Sequence, residues 1–317
     1  LASSDAIEGL VSVVMPSFNH AAFVAEAMRS VFDQSYRDVE FLVLDDCSTD
    51  QTFAVIRDVA DVKQFRRRFR RLEISRNQQN QGAHHSLNLG LAAARGEFVT
   101  FINSDDCYEP ERLQLLTSRS HQADEPFLAF SALRLIDALG RRVRRHELKD
   151  VLELGPNRLR AALPSLSFAF LRYQLAGSTG NIFLNRTLAT EIGGFCALKY
   201  CHDWEFMLRA ITVVEPCYVP ETAYRYRIHG ANAFSNLQHL ATDDTEASLG
   251  SYYRRIASRR VSNPMAPTPA NWPYVFDMIA RQFGVYDAWL REAEYSPRYA
   301  SRLSEISEEV SGSEHAN

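Results

Sequence analysis

The stretch Phe98-Val99-Thr100-Phe101-Ile102-Asn103-Ser104-Asp105-Asp106 limits what this chain can fold into more than any other. Its apolar, aromatic and β-branched residues are costly to leave in water, so they belong inside a sheet, and the two acids that follow emerge together at its carboxyl edge. Open α/β sheets bind their ligands along that edge. Adjacent carboxylates repel unless a cation lies between them, and a hard divalent ion is the simplest candidate. The competing reading is local: Asp106 caps the helix that Pro110 starts.

A second strand ends the same way. Val39 to Leu44 runs into Asp45-Asp46, and Cys47-Ser48-Thr49-Asp50 is suited to capping a helix over Gln51 to Val62. A third strand, Val11 to Met15, is stopped by Pro16, and the turn Ser17-Phe18-Asn19-His20 leads to an amphipathic helix from Phe23 to Gln34. With a strand at Arg71 to Ser75 and helices at His85 to Ala94 and Pro110 to His121, the alternation predicts an α/β fold with a Rossmann-like, mostly parallel sheet. The turn after the first strand lacks Gly-x-Gly-x-x-Gly, which disfavours a dinucleotide-binding dehydrogenase, and the chain has no Gly-x-x-x-x-Gly-Lys-Ser/Thr loop for a phosphate-loop nucleotidase. A sugar-nucleotide pyrophosphorylase needs a glycine-rich basic loop where this chain has Pro16 to His20.

Composition narrows the partners. With 46% hydrophobic and 23% charged residues in 317, the chain reads as an ordinary globule, and its net charge of -4 argues against a nucleic-acid binder. Five cysteines without a Cys-x-x-Cys pair indicate neither a disulfide framework nor a zinc site, and they suit a cytoplasmic setting. No run reaches the roughly 20 apolar residues of a membrane span, and the amino terminus shows no signal pattern.

Val13-Val14-Met15-Pro16-Ser17-Phe18-Asn19, Val43-Leu44-Asp45-Asp46-Cys47-Ser48-Thr49-Asp50, Asn80-Gln81-Gly82 with Asn88-Leu89-Gly90, and Gly96-Glu97-Phe98 to Asp106 resemble, in order and spacing, the nucleotide-sugar half of the family 2 glycosyltransferases. Gly193-Gly194-Phe195, His202-Asp203-Trp204-Glu205-Phe206 and Tyr226-Arg227-Ile228-His229-Gly230 resemble that family's acceptor-side motifs. The resemblance implies a GT-A fold over 1–236, with a donor half at about 8–125 and an acceptor half at about 126–236. It further implies an inverting, metal-dependent, non-processive transfer from a nucleotide-diphosphate sugar, UDP-sugar favoured, to a carbohydrate or lipid-linked acceptor in cell-surface glycan synthesis.

By the same resemblance, Pro16, Ser17, Phe18, Asn19, Asp45, Asp46, Asn88, Ser104, Asp105 and Asp106 bind the donor, with Asp46 facing the base and either Asp105 or Asp106 the ribose. Asp105 and His229 hold Mn²⁺ or Mg²⁺, and Asp203 is the general base. Read without the family, Asp203 is a carboxylate favoured by a helix amino terminus and His229 a hydrogen-bonded surface residue. Asn103, His202 and Leu87 depart from the family pattern, and a binding module that has lost its chemistry is the rival they allow.

From Ala138 to Pro164 the sequence is basic and reads as a loop or hairpin. Ala176 to Asn181 reads as an acceptor-side loop or a tight turn, its glycines letting backbone approach a ligand. A helical carboxyl-terminal extension, 237–317, comprises a helix over Leu237 to Arg260, a proline-rich linker or brace at 262–273, further helical periodicity over Tyr274 to Val310 and a disordered tail. Lys63, Arg66, Arg67, Arg68, Arg70 and Arg71 form one basic cluster and Arg141 to Arg145 another, which makes peripheral contact with an anionic membrane an expectation.

Overall fold

The computed structural model describes residues 6–120, 125–230 and 241–288. Its centre is one eight-stranded sheet in the order β3-β2-β1-β4-β7-β6-β8-β5. The strands are β1 (Ile7–Ser17), β2 (Val39–Asp45), β3 (Arg71–Arg76), β4 (Gly96–Phe101), β5 (Cys107–Tyr108), β6 (Leu128–Ile136), β7 (Phe183–Asn185) and β8 (Cys217–Arg227). Strands β3, β2, β1 and β4 are parallel, so β1, β2 and β4 deliver their last residues to one edge. β7 runs antiparallel to β4 and β6, whereas β8 is parallel to β6.

Strand alternation divides the core between the two faces. Val11, Val13 and Met15 of β1 with Phe41 and Val43 of β2 point to one side, where α1 (Val24–Phe32), α2 (Thr52–Asp61) and α5 (Arg112–Thr117) cover them. Val14, Leu42, Leu44, Val99 and Phe101 point to the other, beneath α4 (Ala83–Ala93) and α10 (His202–Ala210). In α1 the buried set Val24, Ala27, Met28 and Val31 has the spacing of a single helix face.

The four amino-terminal strands and their helices lie where the sequence predicts them. The stretch from Ala138 to Pro164, read as a loop or hairpin, begins with a turn closed by the antiparallel Ile136–Arg142 bridge and is corrected beyond it, where it carries two helices, α6 (Lys149–Leu152) and α7 (Gly155–Ala162). Pro156 occupies the first turn of α7, where a missing N–H costs nothing. β8 runs unbroken from Cys217 to Arg227, and its register against β6 shifts opposite Ser131 to Leu133, which absorbs Pro220.

Beyond residue 240 the helices Ala241–Ala257 and Val275–Gln282 add Leu249, Tyr252, Tyr253, Phe276 and Ile279 to the same core as α10. The proline-rich stretch between them is pinned as a brace: Asn263 donates to the Ile211 carbonyl at 2.8 Å and Ala266 is fully buried. Trp289, Leu290, the helical periodicity to Val310 and the carboxyl-terminal tail lie outside the described residues. Among the described residues, no helix is long and apolar enough to cross a membrane.

Candidate active site

The ends of β1 and β2 are knitted together by their own loops. Ser17 pairs in register with Asp45, and Asn19 takes a positive φ so that its Oδ1 accepts from the amide of Thr49 at 2.8 Å. Asn, unlike a β-branched residue, tolerates this conformation. The amide of Asn19 donates to Ser48 Oγ and that of His20 to Thr52 Oγ1. Pro16 is half-buried beside them, and Phe18 leaves 39% of its surface exposed at the edge. Asp45 is fully buried against Arg76, and its Oδ1, like Ser17 Oγ, finds no protein partner.

Asp46 is committed to the chain. It accepts from Asn77 Nδ2 at 2.7 Å and from the amides of Gln81 and Gly82 at 3.0 and 2.7 Å, so it shapes the loop after β3. Arg76, Asn77, Gln78, Gln79 and Gln81 line an open cleft of about 500 Å³ there. Asn88 likewise serves a joint: its Oδ1 accepts from the amide of Phe195 and its Nδ2 donates to the Phe195 carbonyl, tying α4 to the Gly193-Gly194-Phe195 turn. Leu87 is core, 1% exposed.

The adjacent acids after β4 point in different directions. Asp106 faces inward and accepts from Tyr224 Oη at 2.6 Å, the amide of Arg227 at 2.8 Å and Asn103 Nδ2 at 3.2 Å. Burial, then the neighbouring Asp105 carboxylate, pushes its pKa well up. These bonds engage Asp106 with the protein. Asp105 faces the edge, its carbonyl gripped by the fully buried Arg227. His229 Nε2 lies 3.0 Å and His20 Nε2 3.7 Å from Asp105 Oδ2. Burial opposes ionisation of Asp105, but the His229 hydrogen bond and the two imidazoles outweigh it and hold its carboxyl below the ordinary range. Ser104 Oγ sits 2.8 Å from His20 Nδ1 and so orients that ring, while Phe23 packs on His229 with ring centroids 4.6 Å apart.

His20, Asp105 and His229 therefore offer two imidazole nitrogens and one carboxylate oxygen, all within 4.8 Å of one another. Sequence reasoning placed His20 in the turn after β1 without assigning it a role. A single histidine has no ligand spacing to betray it, and only the fold brings it to Asp105.

Asp203 opens α10, where Trp204 and Phe206 pack into the core. The hydroxyl of Tyr226 senses both halves of the site: burial, then Asp106, Asp105 and Asp203, raise its pKa. His202 is half-buried, with Nε2 3.3 Å from Thr179 Oγ1. Gly180, expected to admit a ligand, instead admits Tyr224, since a Cβ there would fall 2.0 Å from the Tyr224 hydroxyl.

Of the first basic cluster, Arg66 pairs with Asp61, Arg70 with Asp38 and Arg71 with Glu40 and Glu73. Arg68 donates to the carbonyls of Phe32, Gln34, Tyr36 and Arg37. Arg142, Arg144 and Arg145 of the second cluster are exposed and, among the described residues, make no ion pair.

A sheet that is parallel through β3, β2, β1 and β4, carries an acid-and-imidazole cluster at its carboxyl edge and is extended by the mixed strands β7, β6, β8 and β5 has the GT-A fold. The model of glycosyl transferase family 2 matches residues 12–199, and the chain belongs to that family. It is 28% identical over 249 residues to the succinoglycan biosynthesis protein ExoO of Rhizobium meliloti, covering 78% of this chain and 69% of that protein. It is 35% identical over 105 residues to the putative teichuronic acid biosynthesis glycosyltransferase TuaG of Bacillus subtilis, covering 33% of this chain and 39% of that protein. The match thus spans about two fifths of TuaG and of an uncharacterized glycosyltransferase of Haemophilus influenzae. Among solved structures, the mannosyltransferase PcManGT from Pyrobaculum calidifontis, in complex with GDP-Man and Mn²⁺, superposes with TM-score 0.58 at 17% identity, covering 94% of this chain and 74% of that one. TarS 1–349 of S. aureus in complex with UDP-GlcNAc gives 0.53 at 17% identity, covering 92% and 83%.

Proposed function

We propose that this chain transfers a sugar, with inversion, from a nucleotide-diphosphate sugar to an acceptor hydroxyl in the assembly of a cell-surface polysaccharide or glycolipid. The observation that carries the reading is the meeting of His20, Asp105 and His229 at the strand edge where such sheets bind ligands. The donor set of two imidazoles and one carboxylate fits Mn²⁺ better than Mg²⁺, which favours an all-oxygen shell. These three residues would hold a divalent ion, and the ion would supply neutralisation of negative charge on a diphosphate leaving group. The names of the relatives, and the GDP-Man, UDP-GlcNAc and Mn²⁺ of the solved neighbours, support this assignment.

The chain's own residues divide the work. Ser17, Phe18 and the loop held by Asp46 receive the nucleotide. Arg227 fixes the backbone of Asp105, and Asp106 locks the turn behind it through Tyr224. Asp203 takes the proton of the acceptor hydroxyl as that oxygen bonds to the anomeric carbon, and the bond from that carbon to the diphosphate breaks, releasing the nucleoside diphosphate.

Peripheral contact with an anionic membrane is assigned to Arg142, Arg144 and Arg145, since the other arginine cluster is largely spent internally. Co-sedimentation with phosphatidylserine vesicles should fall on replacing these three with alanine, and unchanged sedimentation would exclude the assignment. The test of the function itself is a thermal-shift screen of UDP- and GDP-sugars with and without Mn²⁺. A ligand at ~100 times its dissociation constant stabilises by ~2.7 kcal/mol, so one donor should raise the melting temperature only when Mn²⁺ is present. A flat response to all donors would refute the reading.

A further inference from the structure

The carboxyl-terminal helix Ala241–Ala257 grips both ends of the turn that presents Asp203. Asp244 Oδ2 accepts from the amide of Tyr200 at 2.6 Å and from that of Cys201 at 3.1 Å, the two residues directly before α10. One turn into α10, Glu205 Oε1 accepts from Ser251 Oγ at 2.7 Å, while the same carboxylate receives two nitrogens of Arg209. Arg209 in turn donates to the carbonyls of Ile192 and Gly194, carrying the network back to the Asn88 joint. Cys201 is buried, 6% exposed, and Tyr252 and Tyr253 lock the same helix in the core.

This arrangement explains a local problem. The first amides of a helix and of the turn leading into it have no intrahelical partner, and Cys201 at the cap position provides no side-chain hydrogen bond to them. A carboxylate from another helix supplies the acceptor instead. Without it, the amides of Tyr200 and Cys201 lose the acceptor that ties this turn to the carboxyl-terminal helix.

We propose that Asp244 is a positioning residue for the reaction: it fixes the Tyr200–Cys201 turn and thereby the direction of the Asp203 carboxylate, so the carboxyl-terminal helix is a working part of the acceptor site. The proposal rests on Asp203 being the base. Misplacement of a reacting group by about 1 Å costs on the order of 10²-fold, so a turn held by two hydrogen bonds has leverage over rate that it lacks over donor binding.

Two readouts test it. By amide hydrogen exchange, Asp244→Ala should speed exchange at Tyr200 and Cys201 at least about tenfold, with β1 and β4 unchanged; unchanged protection at the turn would overturn the proposal. In nucleotide release from UDP-GlcNAc or GDP-mannose with Mn²⁺, kcat should fall about tenfold or more with donor KM within about twofold, and Asp244→Asn, which keeps the accepting oxygen, should recover most of the rate. On an Asp203→Asn background, Asp244→Ala should cost nothing further. A full additional loss there would show that Asp244 acts other than through Asp203. Native release by Asp203→Asn alone would instead refute the base assignment, a separate result. Should Asp244→Ala fail to fold, Asp244→Glu, which displaces the acceptor by one methylene, replaces it with the same expectation.

Discussion

His229 Nε2 lies 3.0 Å from Asp105 Oδ2, although 124 positions separate the two residues in the chain. The contact exists because β8 pairs with β5, which directly follows Asp105-Asp106, and because Arg227, two residues before His229, is buried with its Nε on the Asp105 carbonyl. The Asp105 carboxylate and the His229 imidazole are thus fixed to each other through backbone as well as side chains.

That geometry sets the first prediction. Asp105→Ala should abolish Mn²⁺ binding measured by calorimetry, and His20→Ala and His229→Ala should each weaken it by at least about tenfold, the loss typical even of residues that only support a ligand. Native Mn²⁺ affinity in His20→Ala would remove that residue from the cluster.

Asp46 gives a different expectation from the one its sequence motif suggests. Its carboxylate organises the Asn77 to Gly82 loop, so Asp46→Ala should lower stability and nucleotide affinity together, each by about 1 to 3 kcal/mol, the cost of stranding buried donors. A variant with native melting temperature but weakened nucleotide binding would instead show direct contact with the base.

Much of the donor half was legible because buried parallel strands write themselves as unbroken apolar runs. Phe98 to Ile102 and Phe41 to Leu44 needed no alignment to be read. β6 was not singled out, since Leu128-Ala129-Phe130-Ser131-Ala132-Leu133-Arg134-Leu135-Ile136 suits a helix as well as a strand. The direction of a carboxylate was also hidden: Asp105 and Asp106 are neighbours with opposite surroundings, and only Tyr224 and the Arg227 amide decide which one turns inward. His20 was missed for the same reason, its partner Asp105 being brought by the fold.

The joint between α4 and the acceptor side supplies a third prediction. A Cβ at Gly194 would lie 2.4 Å from Asn88 Oδ1, so Gly194→Ala should displace the Asn88 side chain and destabilise the protein about as much as Asn88→Ala, by about 1 to 3 kcal/mol in urea unfolding. The double variant should be clearly less destabilised than the sum, since both changes break the same pair of hydrogen bonds.

The acid limb of stability should carry the signature of Glu205. Burial opposes its ionisation, but hydrogen bonds and charge from Arg209, with Ser251, outweigh that and leave its folded pKa below the ordinary value. A depressed folded pKa contributes stability above the unfolded value of about 4.3, and the contribution is lost as pH falls through the folded pKa. Glu205→Gln should therefore be less stable than the native chain near neutrality, with the difference shrinking below about pH 4. A difference independent of pH would contradict this.

Asp203 carries the central claim, that this site performs transfer and does not merely bind. A general base contributes typically ~10² to 10⁴ in rate, and Asp203→Asn keeps the shape of the side chain while removing its basicity. The decisive measurement is donor affinity and turnover in that one variant, with Mn²⁺ and the donor selected by thermal shift. The account predicts native donor affinity, a melting temperature within a few degrees of the parent and turnover lowered by at least about 10²-fold. Near-native turnover would contradict it and leave Asp203 as a carboxylate that only favours the start of α10.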